Sequence, residues 1–301
     1  MIFETHAHYD DDAFVADRDG VLAGLAAEGV AAVVNIGADM ASSRRSLELA
    51  EKYGFVYAAV GVHPDSAGEI VPYTVTADGD DRKGATAAAD TPGDSGSDSE
   101  DRKEYSPDEC RRNLVELQEM AASEKVIAIG EIGLDYHWNV YPREVQKKAF
   151  IKQWELAAEL GLPIEIHSRD AAEDTMNTVR EMYAREQAAG RALRADMHCY
   201  SYSPEQAAEY AKMGLYFGIG GVLTFKNAKK LREVVDAVPI DRLLLETDCP
   251  YLAPEPHRGS RNYSGYLHNV VAEFARIKGL TEEEVEDITY ANACRFFNLQ
   301  G

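Results

Sequence analysis

Apolar residues along this chain fall into two alternating spacings. Short runs rich in Val, Ile, Leu and Ala occupy Ile2–Thr5, Ala31–Ile36, Val56–Val60, Val126–Gly130, Pro163–Ile166, Ala195–His198, Leu215–Ile219 and Leu243–Thr247, and read as strands. Between them apolar positions recur every three or four residues. This predicts helices over Ala13–Glu28, Ala41–Tyr53, Pro107–Ser123, Arg143–Leu160, Ala171–Ala189, Pro204–Lys212, Ala228–Ala237 and Tyr263–Lys278. The first places Phe14, Leu22 and Leu25 on one side. Eight strand–helix pairs in alternation predict a parallel sheet, and eight is the number that closes a (β/α)8 TIM barrel. Thr281 and Glu284, in capping-box spacing, open an extra C-terminal helix over Thr281–Phe297. The 301 residues thus read as one barrel domain.

One stretch breaks the alternation. Residues 66–106 follow the third strand and are rich in Gly, Ser, Thr, Ala and Asp. Ten acidic and four basic side chains leave them a net −6, and no apolar period continues beyond Ile70–Val75. The segment reads as an acidic inserted loop, flexible at least in part. It emerges on the catalytic face of a barrel, where a solvated insertion without a role is favoured over a lid.

Composition narrows the class. No apolar run approaches the roughly 20 residues of a membrane helix. The start, Met1-Ile-Phe-Glu-Thr-His6, lacks the basic stretch and apolar core of a signal peptide, so a cytoplasmic protein is expected, with no membrane partner. Cys110, Cys199, Cys249 and Cys294 are scattered and read as buried, reduced thiols. The net charge of −21 excludes the broad basic face of a protein that grips long duplexes, and it predicts tolerance of salt. Any contact with nucleic acid must come from a local cluster of cations, helped by metals.

The candidate chemistry sits at strand ends. Of only eight histidines, His6, His8, His63, His167 and His198 stand at or just past predicted strands, as do Glu131 and Asp248. The C-terminal ends of barrel strands converge on one mouth. His6 and His8 are two apart on a strand, so their imidazoles face the same way. A set of His6, His8, Glu131 and Asp248 would hold one cation, and Glu131, His167 and His198 a second, with Glu131 bridging. The mixed nitrogen and oxygen set suits Zn, Mn or Fe by affinity, and Mg where supply decides. Asp248 is placed to take a proton from water. Arg169, Lys226, His257 and Arg258 should overhang the mouth with Arg261, where a guanidinium fork matches phosphate oxygens; Arg169 reads first as an ion-pair partner of Asp170 or of the neighbourhood of Glu131. His63 reads as facing substrate, Glu246 as orienting a histidine or a water, and Tyr136 as a stacking wall. His137 and His268 read as ordinary residues.

The ordered set of motifs resembles the TatD family of metal-dependent deoxyribonucleases, within the amidohydrolase-like barrels. The resemblance rests on Thr5-His-Ala-His8, Gly61-Val-His-Pro64, Gly130-Glu-Ile-Gly-Leu-Asp-Tyr136, Pro163-Ile-Glu-Ile-His-Ser-Arg-Asp-Ala171, Phe225-Lys-Asn227, Glu246-Thr-Asp-Cys-Pro-Tyr251 and Pro256-His-Arg-Gly259. It implies metal ligands at His6, His8, Glu131, His167, His198 and Asp248. It also implies cleavage of DNA, often from the 3′ ends of single strands, with Mg or Mn at work and Zn possible in the isolated protein. A monomer or weak oligomer is expected. The chain departs from the family pattern in its acidic insertion, in Asp65 where His is common, and in Tyr263-Ser-Gly265 where Glu-Pro-Ala is usual. Alternatives on the same metals are hydrolysis of a small ester, lactone or amide, or deacylation of a misacylated transfer RNA, since a fold does not fix a reaction.

Overall fold

The computed structural model describes residues 1–74 and 103–299. Eight strands form: β1 (Ile2–Ala7), β2 (Val30–Ile36), β3 (Val56–Val60), β4 (Val126–Asp135), β5 (Ile164–Arg169), β6 (Ala195–Met197), β7 (Tyr216–Ile219) and β8 (Leu243–Leu245). All pair in parallel and in sequence order. A parallel bridge between Ala7 and Cys249 joins the sheet's two edges. The result is the (β/α)8 barrel that the alternation predicts.

The helices follow the expected segments: α1 (Arg18–Gly24), α2 (Met40–Lys52), α3 (Pro107–Ala121), α4 (Arg143–Leu160), α5 (Ala172–Ala188), α6 (Pro204–Lys212), α7 (Lys229–Ala237), α8 (Leu267–Lys278) and the extra α9 (Glu282–Phe297). Capping boxes start α2, α3 and α9 at Asp39, Ser106 and Thr281. Among the described residues no helix is long and apolar enough to cross a membrane. All four cysteines are free; three are buried and Cys199 is half-buried.

Three segments differ from expectation, each for a local reason. The first helix is broken: a 3-10 turn at Asp12–Phe14 precedes α1, and another at Leu25–Glu28 follows it. Asp11 accepts from Ala13 N, and Arg261 donates to Ala13 O, so local and distant side chains compete for the backbone there. Gly20 and Gly24 further weaken a continuous helix. Strand β4 runs five residues beyond its expected end. Gly133, at φ +151°, lets it pass β5; a Cβ there would lie 1.9 Å from His167 O. Finally, the acidic segment begins as ordered structure. His63 caps a 3-10 helix at Pro64–Glu69, Ile70 and Val71 are buried, and Tyr73 bridges Tyr105. Residues 75–102 of the expected insertion lie outside the described residues.

The barrel's N-terminal end is sealed by α9. Its Phe296 ring lies 5.2 Å from Tyr216, and Phe297 lies 5.6 Å from Phe3. Asn292 donates to the carbonyls of Ile240 and Leu243 just as β8 begins. Apolar packing holds this end, which frees the opposite end to be polar. We expect Phe296→Ala, which deletes a fully buried ring, to cost about 3–5 kcal/mol. The readout is a lower chemical denaturation midpoint with divalent-ion affinity retained; an unchanged midpoint would show that the seal carries no stability.

Candidate metal centre

The strand ends bring the expected side chains into one cluster. His6 Nε2 lies 3.3 Å from His8 Nε2 and 4.0 Å from Glu131 Oε2. His8 Nε2 lies 3.9 Å from Glu131 Oε1 and 3.4 Å from Asp248 Oδ1. His198 stacks on His6 with centroids 3.4 Å apart, and its Nε2 is 3.9 Å from Glu131 and 3.8 Å from Asp248. His167 approaches Glu131 Oε2 through Nδ1, at 3.3 Å. Among the described residues, groups able to share a cation are His6 with His8 and Asp248, His6 with Glu131 and His198, His63 with Glu131 and His167, His198 with Cys199 and Glu246, and His63 with Asp65 and Asp135. Glu131 belongs to two of them. His198 keeps closer company with His6 than with His167, whose ring centroid is 6.4 Å away.

Beneath this cluster lies a floor of acids. His6 Nδ1 donates to Glu165 Oε2 at 2.8 Å, and His198 Nδ1 to Glu246 Oε2 at 3.2 Å. His8 Nδ1 donates to the Ile36 carbonyl at 3.1 Å. His167 reverses the pattern, giving Nε2 to Asp135 Oδ2 at 3.1 Å. In every case the outer nitrogen donates to a fixed acceptor, which leaves the inner one facing the cluster. Glu246 also accepts from Cys199 N at 2.7 Å. It fits because residue 218 is glycine: a Cβ there would lie 1.9 Å from Glu246 Oε2.

The sequence carries a spacing signal for this floor. Glu4, Glu165, Asp196 and Glu246 each stand two residues before a strand-end member of the cluster, His6, His167, His198 and Asp248. Strand periodicity puts each acid on the same face as that residue, one layer deeper. Of the four, only Glu246 has a role predicted from the sequence.

The electrostatics favour cations. Burial pushes Glu131 up, but His63, His167 and His6 more than reverse it, and the carboxyl is held well below its ordinary range. Burial lowers His8, yet Asp248 and Glu131 outweigh it and raise the imidazole to about 9. His167 likewise rises to about 9 against burial, through Asp135 and Glu131. His6 is held well below its usual value by burial and by neighbouring His198. His63 falls to about 4, mainly through burial, then through His167. Its Nδ1 accepts from Asp65 N at 3.1 Å, so the neutral ring carries its proton on Nε2.

The rim differs from expectation in three details. Arg169 does not pair with Asp170, which instead meets His137 Nδ1 at 3.2 Å; its guanidinium lies over Trp138, 5.4 Å from the ring centroid. Tyr136 is not an open wall: its hydroxyl donates to Asp174, and Arg143 lies over its ring. Arg261 is engaged by both oxygens of Asp17. Arg258 sits over Phe225 at 4.4 Å, and His257 stacks flat on Tyr266 at 3.8 Å. Among the described residues, Arg169, Lys226 and Arg258 form no ion pair with a carboxylate. An exposed positive charge therefore survives beside the mouth of a strongly acidic protein.

Residues 3–298 match the family described as TatD related DNase. The chain is 39% identical over 299 residues to the uncharacterized metal-dependent hydrolase YabD of Bacillus subtilis (strain 168), spanning 99% of this chain and 100% of that protein. It is 29% identical over 304 residues to a protein of Erwinia tasmaniensis named 3'-5' ssDNA/RNA exonuclease TatD, spanning 99% of this chain and 100% of that one. Among solved structures, the TatD homolog YjjV of Escherichia coli K12 superposes with a TM-score of 0.79 at 25% identity, covering 99% of this chain and 98% of that chain. The matched span contains the whole cluster from His6 to Asp248, and the chain belongs to the TatD-related DNase family of metal-dependent hydrolases.

Proposed function

We propose that the centre takes two divalent cations, Mg or Mn in the working enzyme, and hydrolyses DNA phosphodiester bonds from the 3′ ends of single strands. One observation carries the reading. Imidazoles and carboxylates from separate strand ends converge, and each imidazole has its outer nitrogen already fixed by a buried acceptor. His6, His8, Asp248 and Glu131 would hold one cation; Glu131, His167 and His198 would hold the other. Such a pair, when bound, activates water and neutralises charge developing on the phosphate oxygens.

The remaining roles belong to the chain. Asp248, with a fifth of its side chain exposed, is the most open carboxylate of the cluster and takes the proton from the attacking water. His63 donates a hydrogen bond from Nε2–H to a phosphate oxygen and keeps its proton. Arg169, Lys226 and Arg258 attract the backbone by charge and His257 by hydrogen bonding, and the three charges favour a phosphodiester over a neutral lactone or ester. The naming of a relative as a 3'-5' ssDNA/RNA exonuclease supports the substrate and the polarity.

The direct test offers labelled single-stranded oligonucleotides with free or blocked 3′ ends, beside a small ester, a lactone and a misacylated transfer RNA. Shortening from free 3′ ends that needs Mg or Mn and stops with chelator is expected; turnover of the other substrates alone would overturn the reading. Asp248→Asn should lower kcat about 10²–10⁴-fold while circular dichroism stays native, and full activity in this variant would remove Asp248 from the mechanism. Glu246→Gln keeps the shape but weakens the hold on His198. Divalent affinity, read by competition titration, should fall about 10–100-fold, and wild-type affinity would show that the acid floor does not tune the centre. Lys226→Ala should flatten the dependence of log kcat/KM on log salt by ~0.7 for one lost single-strand phosphate contact; an identical slope argues against phosphate binding there.

A further inference from the structure

The loop after β8 runs Asp248-Cys-Pro-Tyr-Leu252 and places two apolar side chains in the open. Tyr251 is 55% exposed and Leu252 38%, whereas most large apolar side chains of the described residues are buried. Tyr251 stands beside the metal centre, its N–H donating to the Asp248 carbonyl at 2.9 Å. The loop is held firmly. Asn262, fully buried, donates Nδ2 to Thr247 O at 3.0 Å and to Tyr251 O at 2.8 Å, and its own N–H reaches Pro250 O at 2.9 Å. The phenol donates to Asp11 Oδ2 at 3.0 Å. The ring is thus fixed at its backbone and at its tip while remaining exposed. A rigid, open aromatic surface beside a catalytic carboxylate is a ligand-binding feature rather than core packing.

Charge separates what can bind on each side of this loop. Towards β1 the ring meets Asp11, with Asp12 next in the chain, which disfavours phosphate. Towards β7 lie Lys226 and Arg258, the latter seated on Phe225. A flat, uncharged group fits the first side and a phosphate the second.

We propose that Tyr251, flanked by Leu252, is the stacking ledge for the base of the terminal nucleotide, an inference that rests on the nuclease reading above. Every nucleobase offers a π-face, so such a ledge binds without regard to sequence. It also binds without regard to charge, which suits a chain of net charge −21.

The test compares oligonucleotides ending in an ordinary 3′ nucleotide with the same strands ending in an abasic residue, using wild type, Tyr251→Ala and Tyr251→Phe. Wild type should favour the base-bearing end about tenfold to a hundredfold in KM, with a preference that does not change with salt. Tyr251→Ala should bring that ratio close to one, and Tyr251→Phe should keep most of it. Equal use of both ends by wild type, or an undiminished preference in Tyr251→Ala, overturns the ledge while leaving the nuclease reading intact. Failure of wild type to cut any oligonucleotide overturns the nuclease reading, and the ledge falls with it.

Discussion

A carboxylate inside a dry barrel is costly unless hydrogen bonds and opposite charge compensate, and this protein places Glu4, Glu165, Asp196 and Glu246 at 2% exposure or less. The imidazole N–H groups of His6 and His198 meet Glu165 and Glu246, the backbone N–H groups of His6 and Thr247 meet Glu4, and that of Cys199 meets Glu246 again. Compensation is incomplete: among the described residues Glu4 Oε2, Glu165 Oε1 and Asp196 Oδ1 have no hydrogen-bond partner. Burial accordingly raises Glu4 to about 8, and it pushes Glu165 and Asp196, each further raised by a neighbouring acid, well above the carboxylate range. The floor is a net cost that accompanies a gain: Glu165 and Glu246 fix which nitrogen of His6 and of His198 faces the mouth.

The cost can be sustained because the barrel separates its tasks along its axis. At the N-terminal end, aromatic contacts between α9 and β1 and β7 supply apolar burial with no chemical duty. At the other end, the clustered histidines and carboxylates arrive on strands whose register is fixed below them. The same geometry explains Gly218. The room that Glu246 needs is made in a neighbouring strand, by the absence of a side chain. A contact between two histidines from β1 and the end of β6 is therefore governed by a glycine in β7 and an acid after β8.

The barrel and its cluster were legible because both depend on strict periods. Strand runs repeat eight times, and a histidine or carboxylate at a strand end can face only the common mouth. What escaped was decided by contacts between distant segments. Arg261, nearly 250 residues along the chain, takes the Ala13 carbonyl and helps break the first helix. Gly133 extends β4 because His167 O leaves no room for a side chain, a fact visible only once β5 is beside it. Arg169 has an acid as its sequence neighbour yet rests on Trp138, because the strand end turns its side chain away from Asp170. The acid floor is a different case. Its spacing, an acid two before each of four cluster residues, is present in the sequence, but the depth that distinguishes a buried acid from a solvated one is set by the closed barrel.

The rim shows how a strongly acidic protein keeps useful positive charge. Arg44, Arg180, Arg185 and Arg276 each meet a glutamate, and their fields are largely cancelled before reaching a ligand. A guanidinium laid on an aromatic ring is held by the ring's quadrupole and its apolar face, without a countercharge. Arg258 on Phe225 and Arg169 on Trp138 are positioned in this way, so their charge remains available to an anion. Seating cations on rings rather than on acids concentrates attraction at the mouth while the rest of the surface repels polyanions.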